Sequence, residues 1–218
     1  MSDQTHPLYL GHHFEDIEQQ NESYSVGMWA FLVTEIMFFG ALFASYFIYR
    51  WMNQHEFHVL SHHLDWRLGF VNTLILLTSS LTMALGVKAA MRNDRRKQIG
   101  MILATIACGG GFLVVKYFEY TDKFKHGLAP GVNFSYPYAD DGAPIAHMFY
   151  CIYFFMTGLH ALHVVIGMIV MACLIAWIKK NPMKEQDFMP TEMTGLYWHF
   201  VDIVWIFLYP LLYLIPGK

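Results

Sequence analysis

The stretch "GMWAFLVTEIMFFGALFASYFIYR", residues 27–50, decides the fold class. From Val26 the chain runs apolar until Arg50, and Glu35 is the single charge in between. A helix of this length crosses a hydrocarbon core about 30 Å thick, and nine residues from Val26 set Glu35 about 14 Å deep, close to the midplane. A carboxylate at that depth must be neutralised or paired, since the bare ion is too costly to desolvate. Ala30, Thr34, Ala41 and Ser45 recur near helical spacing beside it and form the kind of small-residue stripe along which membrane helices approach closely. Glu35 can therefore face a bundle. Two readings stay open: a proton-handling or conformational carboxylate, or a protonated acid hydrogen-bonded to another helix for assembly.

Outward from that segment, the chain repeats the pattern. Of 218 residues 56% are hydrophobic and 14% charged, and the charges gather between long apolar stretches. That is the composition of a polytopic membrane protein. Windows at roughly 26–50, 68–90, 98–120, 145–178 and 194–216 are each long enough to span, so an all-α bundle of five transmembrane helices is expected, preceded by an acidic polar tail over residues 1–25. The fourth window exceeds one vertical span, so it tilts or its start lies in the interface. The tail lacks the basic and apolar regions of a signal peptide and is expected to remain. An odd number of spans puts the ends of the chain on opposite sides. Basic residues divide 8 to 6 in favour of the N-terminal side, with five of the eight in the turn "KAAMRNDRRK" (88–97), which places the N-terminus in the cytoplasm. The net charge of −3, with no basic patch, argues against a nucleic-acid partner. Cys108, Cys151 and Cys173 lie in apolar runs without a C-x-x-C pair, which suggests neither a disulfide framework nor a zinc site.

Several polar residues fall inside or beside the spans. His160 and His163, three apart in "TGLHALHVVIG", share a helix face and could ligate haem or a metal; without a third ligand or a partner helix they read as polar contacts between helices. His199 and Asp202 in "YWHFVDIVWIFLYP" can pair with each other or across helices, on a segment so aromatic and polar that it must pack against protein. "HEFHVLSHH" (55–63) holds four histidines in nine residues; exposed zinc ligation is conceivable, and a solvated loop is expected. Lys116 and Glu119 are spaced to form an ion pair near the outer interface, with the lysine snorkelling. Trp29, Arg50 and Trp198 are candidate lipid or interface contacts. No metal site is expected.

These motifs, taken in order with "FEY" at 118–120, closely resemble subunit III of haem–copper oxidases of the cytochrome c oxidase type, from about Val26 to the C-terminus. The resemblance implies an accessory subunit without haem or copper of its own, bound to a catalytic subunit I and to subunit II, which carry those cofactors. It further implies support of proton uptake and of the catalytic subunit's stability in a bacterial inner membrane, and bound phospholipid. Glu35 occupies the position of the family's buried, carbodiimide-reactive acid, and the family's bundle implies His163 or His199 as its hydrogen-bond acceptor. The familiar mitochondrial form has seven spans, whereas this chain resembles the five-helix bacterial version, so one wall of the family's lipid cleft is missing. A subunit III-like partner of a quinol oxidase or nitric oxide reductase is the alternative within the family. Outside it stand a proton-coupled transporter using Glu35, for which no internal repeat is visible, and a membrane cytochrome using His160 or His163.

Overall fold

The computed structural model describes residue 14 and residues 16–130, 143–180 and 188–215. Most of the N-terminal tail, much of the long loop before the fourth span, Lys184 and Lys218 lie outside the described residues. Six helices are present among them: α1 (Ile17–Met52), α2 (Gln54–Ser61), α3 (Trp66–Met91), α4 (Arg95–Lys125), α5 (Ala143–Lys180) and α6 (Met189–Tyr213). All but α2 are long and apolar enough to cross a membrane.

The ends of these helices follow from local chemistry. Asp16 caps α1 by accepting the Gln19 N–H at 2.7 Å, so residues 17–25 are the first turns of α1 rather than part of a tail. Asp65 and Asp94 cap α3 and α4 in the same way, satisfying amides that a helix start leaves open. Between α3 and α4 the chain reverses through Asn93, whose φ of 57° lies in the left-handed region that asparagine tolerates. Gly127, at φ 69°, ends α4 as its N–H meets the Phe124 carbonyl.

Successive spans alternate in direction. Thr82 meets Thr105 between α3 and α4, and Ser79 and Thr73 accept from Trp198 and Trp205 between α3 and α6. Helix α6 is the axle: it packs on α3 and α5, sends Thr191 to Gln98 and Tyr213 to Lys116 of α4, and is the most enclosed span. It also runs parallel to α1, through Phe31–Tyr197, Phe39–Phe200 and Phe43–Phe207. Close approach is set by glycine. A Cβ at Gly109 or Gly167 would lie 2.9 or 2.8 Å from the Trp198 ring, so that indole is slotted between α4 and α5. Trp198 is 0% exposed and its Nε1–H donates to Ser79 Oγ at 3.0 Å. This corrects the expectation of a lipid or interface contact; Trp29, by contrast, is exposed.

Candidate functional site

Helix α1 is the least enclosed span, and its polar attachment to α5 is made at Glu35. Oε2 of Glu35 lies 3.1 Å from Nε2 of His163 on α5, with both side chains partly exposed. His163 Nδ1 sits 2.8 Å from the Leu159 carbonyl, which can only accept, so Nδ1 carries a hydrogen. The one exchangeable proton of the contact therefore resides either on Glu35, donating to Nε2, or on Nε2, donating to the carboxylate. Phe39 packs edge-on against the same imidazole at 5.1 Å, and the Tyr197 hydroxyl donates to the His163 carbonyl at 3.2 Å. The ring is thereby fixed on three sides.

Two apolar clefts lie along α1 and α5, and this contact lines the first of them. One, of about 450 Å³, is lined by Met28, Phe31, Ile166, Val170 and Tyr197 together with the pair itself. The other, of about 610 Å³, lies towards Ser45, Cys151 and Phe155. At the far end of α1 the Tyr46 hydroxyl donates to the Leu211 carbonyl of α6, and Arg50 lies beside that hydroxyl.

The remaining polar candidates do not gather at Glu35. His199 Nδ1 is 2.7 Å from Ser80 Oγ on α3, not paired with Asp202. Asp202 is buried beside Ser79 and Ser80, yet neither carboxylate oxygen has a partner with hydrogen-bond geometry. His160 is 0% exposed between Phe112 and Trp205, and both its ring nitrogens lack partners, so its contacts across helices are aromatic rather than polar. With His163 engaged at both nitrogens, the two histidines do not form a ligand pair for haem. Among the described residues, no group of three metal-ligating side chains converges.

Lys116 and Glu119 depart furthest from expectation. Both are 3% exposed; the lysine is not snorkelling but buried among α4, α5 and α6. Its ammonium donates to Glu119 at 2.9 Å and to the Tyr213 hydroxyl at 2.6 Å, and lies 4.7 Å from the Trp205 ring centroid. Glu119 also accepts from Tyr153 at 2.8 Å and Tyr213 at 2.5 Å. Tyr153 and Tyr213 went unread in the sequence, where tyrosines near span ends look like interfacial anchors.

A family model described as cytochrome c oxidase subunit III matches residues 4–216. The chain belongs to the cytochrome c oxidase subunit III family. Among relatives, a cytochrome c oxidase subunit 3 from Corynebacterium diphtheriae is 32% identical over 193 residues, covering 88% of this chain and 87% of that one. A quinol oxidase subunit 3 from Bacillus subtilis is 28% identical over 190 residues, covering 87% and 85%. A haem–copper oxidase subunit I+III from Aeropyrum pernix is 29% identical over 196 residues, covering 86% of this chain but 22% of that longer one. As a subunit III this chain is an accessory subunit of a multi-subunit haem–copper oxidase, and a multi-pass membrane protein.

Proposed function

We propose that this chain is the non-redox subunit III of a proton-pumping terminal oxidase in a bacterial inner membrane, N-terminus in the cytoplasm. It rests on a catalytic subunit I and a subunit II that carry the haem and copper. The relative that joins I and III in one chain supports adjacency to subunit I. We read Glu35–His163 mainly as the bolt that holds α1 to α5 in the wall of a cleft shaped for apolar chains, phospholipid acyl groups among them. The observation that carries this reading is the 3.1 Å contact itself, a polar bridge in a largely apolar cleft. The cleft's lost wall then falls to a partner subunit or to lipid.

Purification of the tagged chain in mild detergent tests the assembly: a haem–copper catalytic subunit should accompany it, and recovery with a transporter or cytochrome partner instead would sink the proposal. Whether the companion subunit II carries a copper-binding cytochrome c site separates the cytochrome c reading from the quinol one. Glu35→Gln keeps shape and one hydrogen bond, so assembly and oxygen reduction should survive while carbodiimide labelling disappears. Glu35→Leu leaves His163 without its partner and should loosen the subunit by about 1–3 kcal/mol. Normal assembly of Glu35→Gln with proton pumping abolished would make the carboxylate an obligatory proton carrier. Cysteines placed between Lys88 and Lys97 should resist periplasmic labelling in intact cells; ready labelling there reverses the orientation.

A further inference from the structure

The segment "QHEFHVLS" forms a helix where a solvated loop was expected. Helix α2 turns Phe57, Leu60 and Ser61 inward: Phe57 is 0% exposed and packs edge-on against Phe149 of α5 at 5.2 Å and Tyr46 of α1 at 5.8 Å. That register puts His55, His58 and His62 on the opposite, outward side, at i, i+3 and i+7. The two last imidazoles converge. Nε2 of His58 and Nε2 of His62 are 3.1 Å apart, with the rings at 81° and their centroids 4.6 Å apart.

We propose that His58 and His62 form an exchangeable binding site for a divalent transition-metal ion of the zinc or copper class, on the membrane face where α6 ends. With metal–nitrogen bonds of about 2.0–2.1 Å, two ligands at a tetrahedral angle stand about 3.3–3.4 Å apart, and at a right angle about 2.9 Å. The observed separation falls between the two, so both nitrogens can bind one ion without moving the backbone. Without metal the same geometry holds one N–H···N hydrogen bond.

The surroundings hold the bite in place. His58 sits in the last turn of α2 and His62 is its C-cap, where the carbonyl end of a helix favours a cation. Ser61 donates its hydroxyl to the His58 carbonyl at 2.8 Å, and Lys123 donates to the His63 carbonyl at 2.5 Å, which ties down the chain on either side of His62. Imidazole ligands select zinc and copper over magnesium and calcium. Among the described residues no third His, Cys, Asp or Glu completes the set, so water fills the other positions and the ion exchanges freely, unlike a closed structural zinc.

The test uses the full chain with whatever subunits accompany it, stripped by chelator and titrated with zinc chloride against a fluorescent zinc indicator. Wild type should bind one zinc more than His58→Ala or His62→Ala, or bind it at least about tenfold more tightly, since even outer-sphere partners contribute that much. His55→Ala should bind as wild type does. Retained subunits and unchanged thermal unfolding of the apo proteins confirm that the variants are folded, and His58→Gln serves if His58→Ala is not. Equal zinc binding by wild type and both variants leaves only a hydrogen bond between two histidines and overturns the proposal. The outcome is independent of which oxidase the chain serves.

Discussion

Removing the Glu119 carboxylate should be among the most damaging single changes in the bundle. It accepts from Lys116, Tyr153 and Tyr213, joining three helices at one group that is 3% exposed. Glu119→Leu strands the Lys116 ammonium with one hydroxyl and the surrounding aromatic faces of Trp205, Tyr120, Tyr153 and Tyr213, and takes the carboxylate acceptor from Tyr153. Stranding one partner of a buried ion pair costs about 3–5 kcal/mol. Lys116→Met should cost less, because Glu119 keeps both tyrosine donors. The double variant leaves no stranded charge and should return to within about 1–2 kcal/mol of wild type, because replacing both members of a buried pair by apolar groups is often near neutral. Thermal unfolding of the detergent-solubilised chain reads the cycle; at about 2–4 °C per kcal/mol for this size, Glu119→Leu should melt roughly 6–20 °C lower. If the two single losses simply add in the double variant, the pair is not coupled and the account of Lys116 as an enclosed, partner-dependent charge is wrong.

Gly167→Ala puts a methyl 2.8 Å from the Trp198 ring, so α5 and α6 must part and about 1–3 kcal/mol should be lost; Gly40→Ala, with nothing within 4 Å, is the control that should lose nothing. Shifted tryptophan fluorescence in the first and not the second is the expected readout. At the α3–α4 turn, hydrogen bonds from the Lys97 side chain and backbone hold the Asp94 carboxyl below its ordinary range. A group depressed on folding contributes stability above its unfolded value and loses it as pH falls through the folded one, so the first turn of α4 should fray only in acid below the usual carboxylate range. Carboxyl-carbon NMR of Asp94 follows this, and a titration at or above the ordinary aspartate value would contradict it.

The spans were legible because hydropathy over twenty residues is a local property: each of the five windows falls on one long helix, with ends differing by a few residues. Only α1 starts much earlier, at Ile17, because a polar sequence with an Asp16 cap stays helical without being apolar. Depth and partner choice were not legible. Lys116 and Glu119 read as interfacial from their distance to the end of the span, yet lateral packing of α5 and α6 encloses them, which no linear count reveals. For the same reason Trp198 read as a surface aromatic, although the glycines that make room for it lie 31 and 89 residues away, at Gly167 and Gly109. Helix α2 was missed because it is only eight residues long, with two inward apolar residues set among as many histidines. Glu35 was found from its isolation, and its partner His163 only as one of two candidates.

The partner of Glu35 lies 128 residues downstream. On a ribosome adding about 5–20 residues per second, the acid is synthesised roughly 6–26 s before His163 exists. During that interval α1 has neither α5 nor α6 beside it, and Leu32, Phe39 and Tyr46, the apolar residues it buries in the finished bundle, face lipid or an insertion factor. Ala30, Thr34, Ala41 and Ser45 stay exposed even afterwards, against the close approach expected of that stripe. A second fastening of α1, from Tyr46 to Leu211, waits for a residue 165 positions downstream. Helix α1, made before the other spans described, thus closes only after α5 and α6 are made. Chains stalled between α4 and α5 should present Glu35 to a membrane-soluble carbodiimide more readily than finished ones.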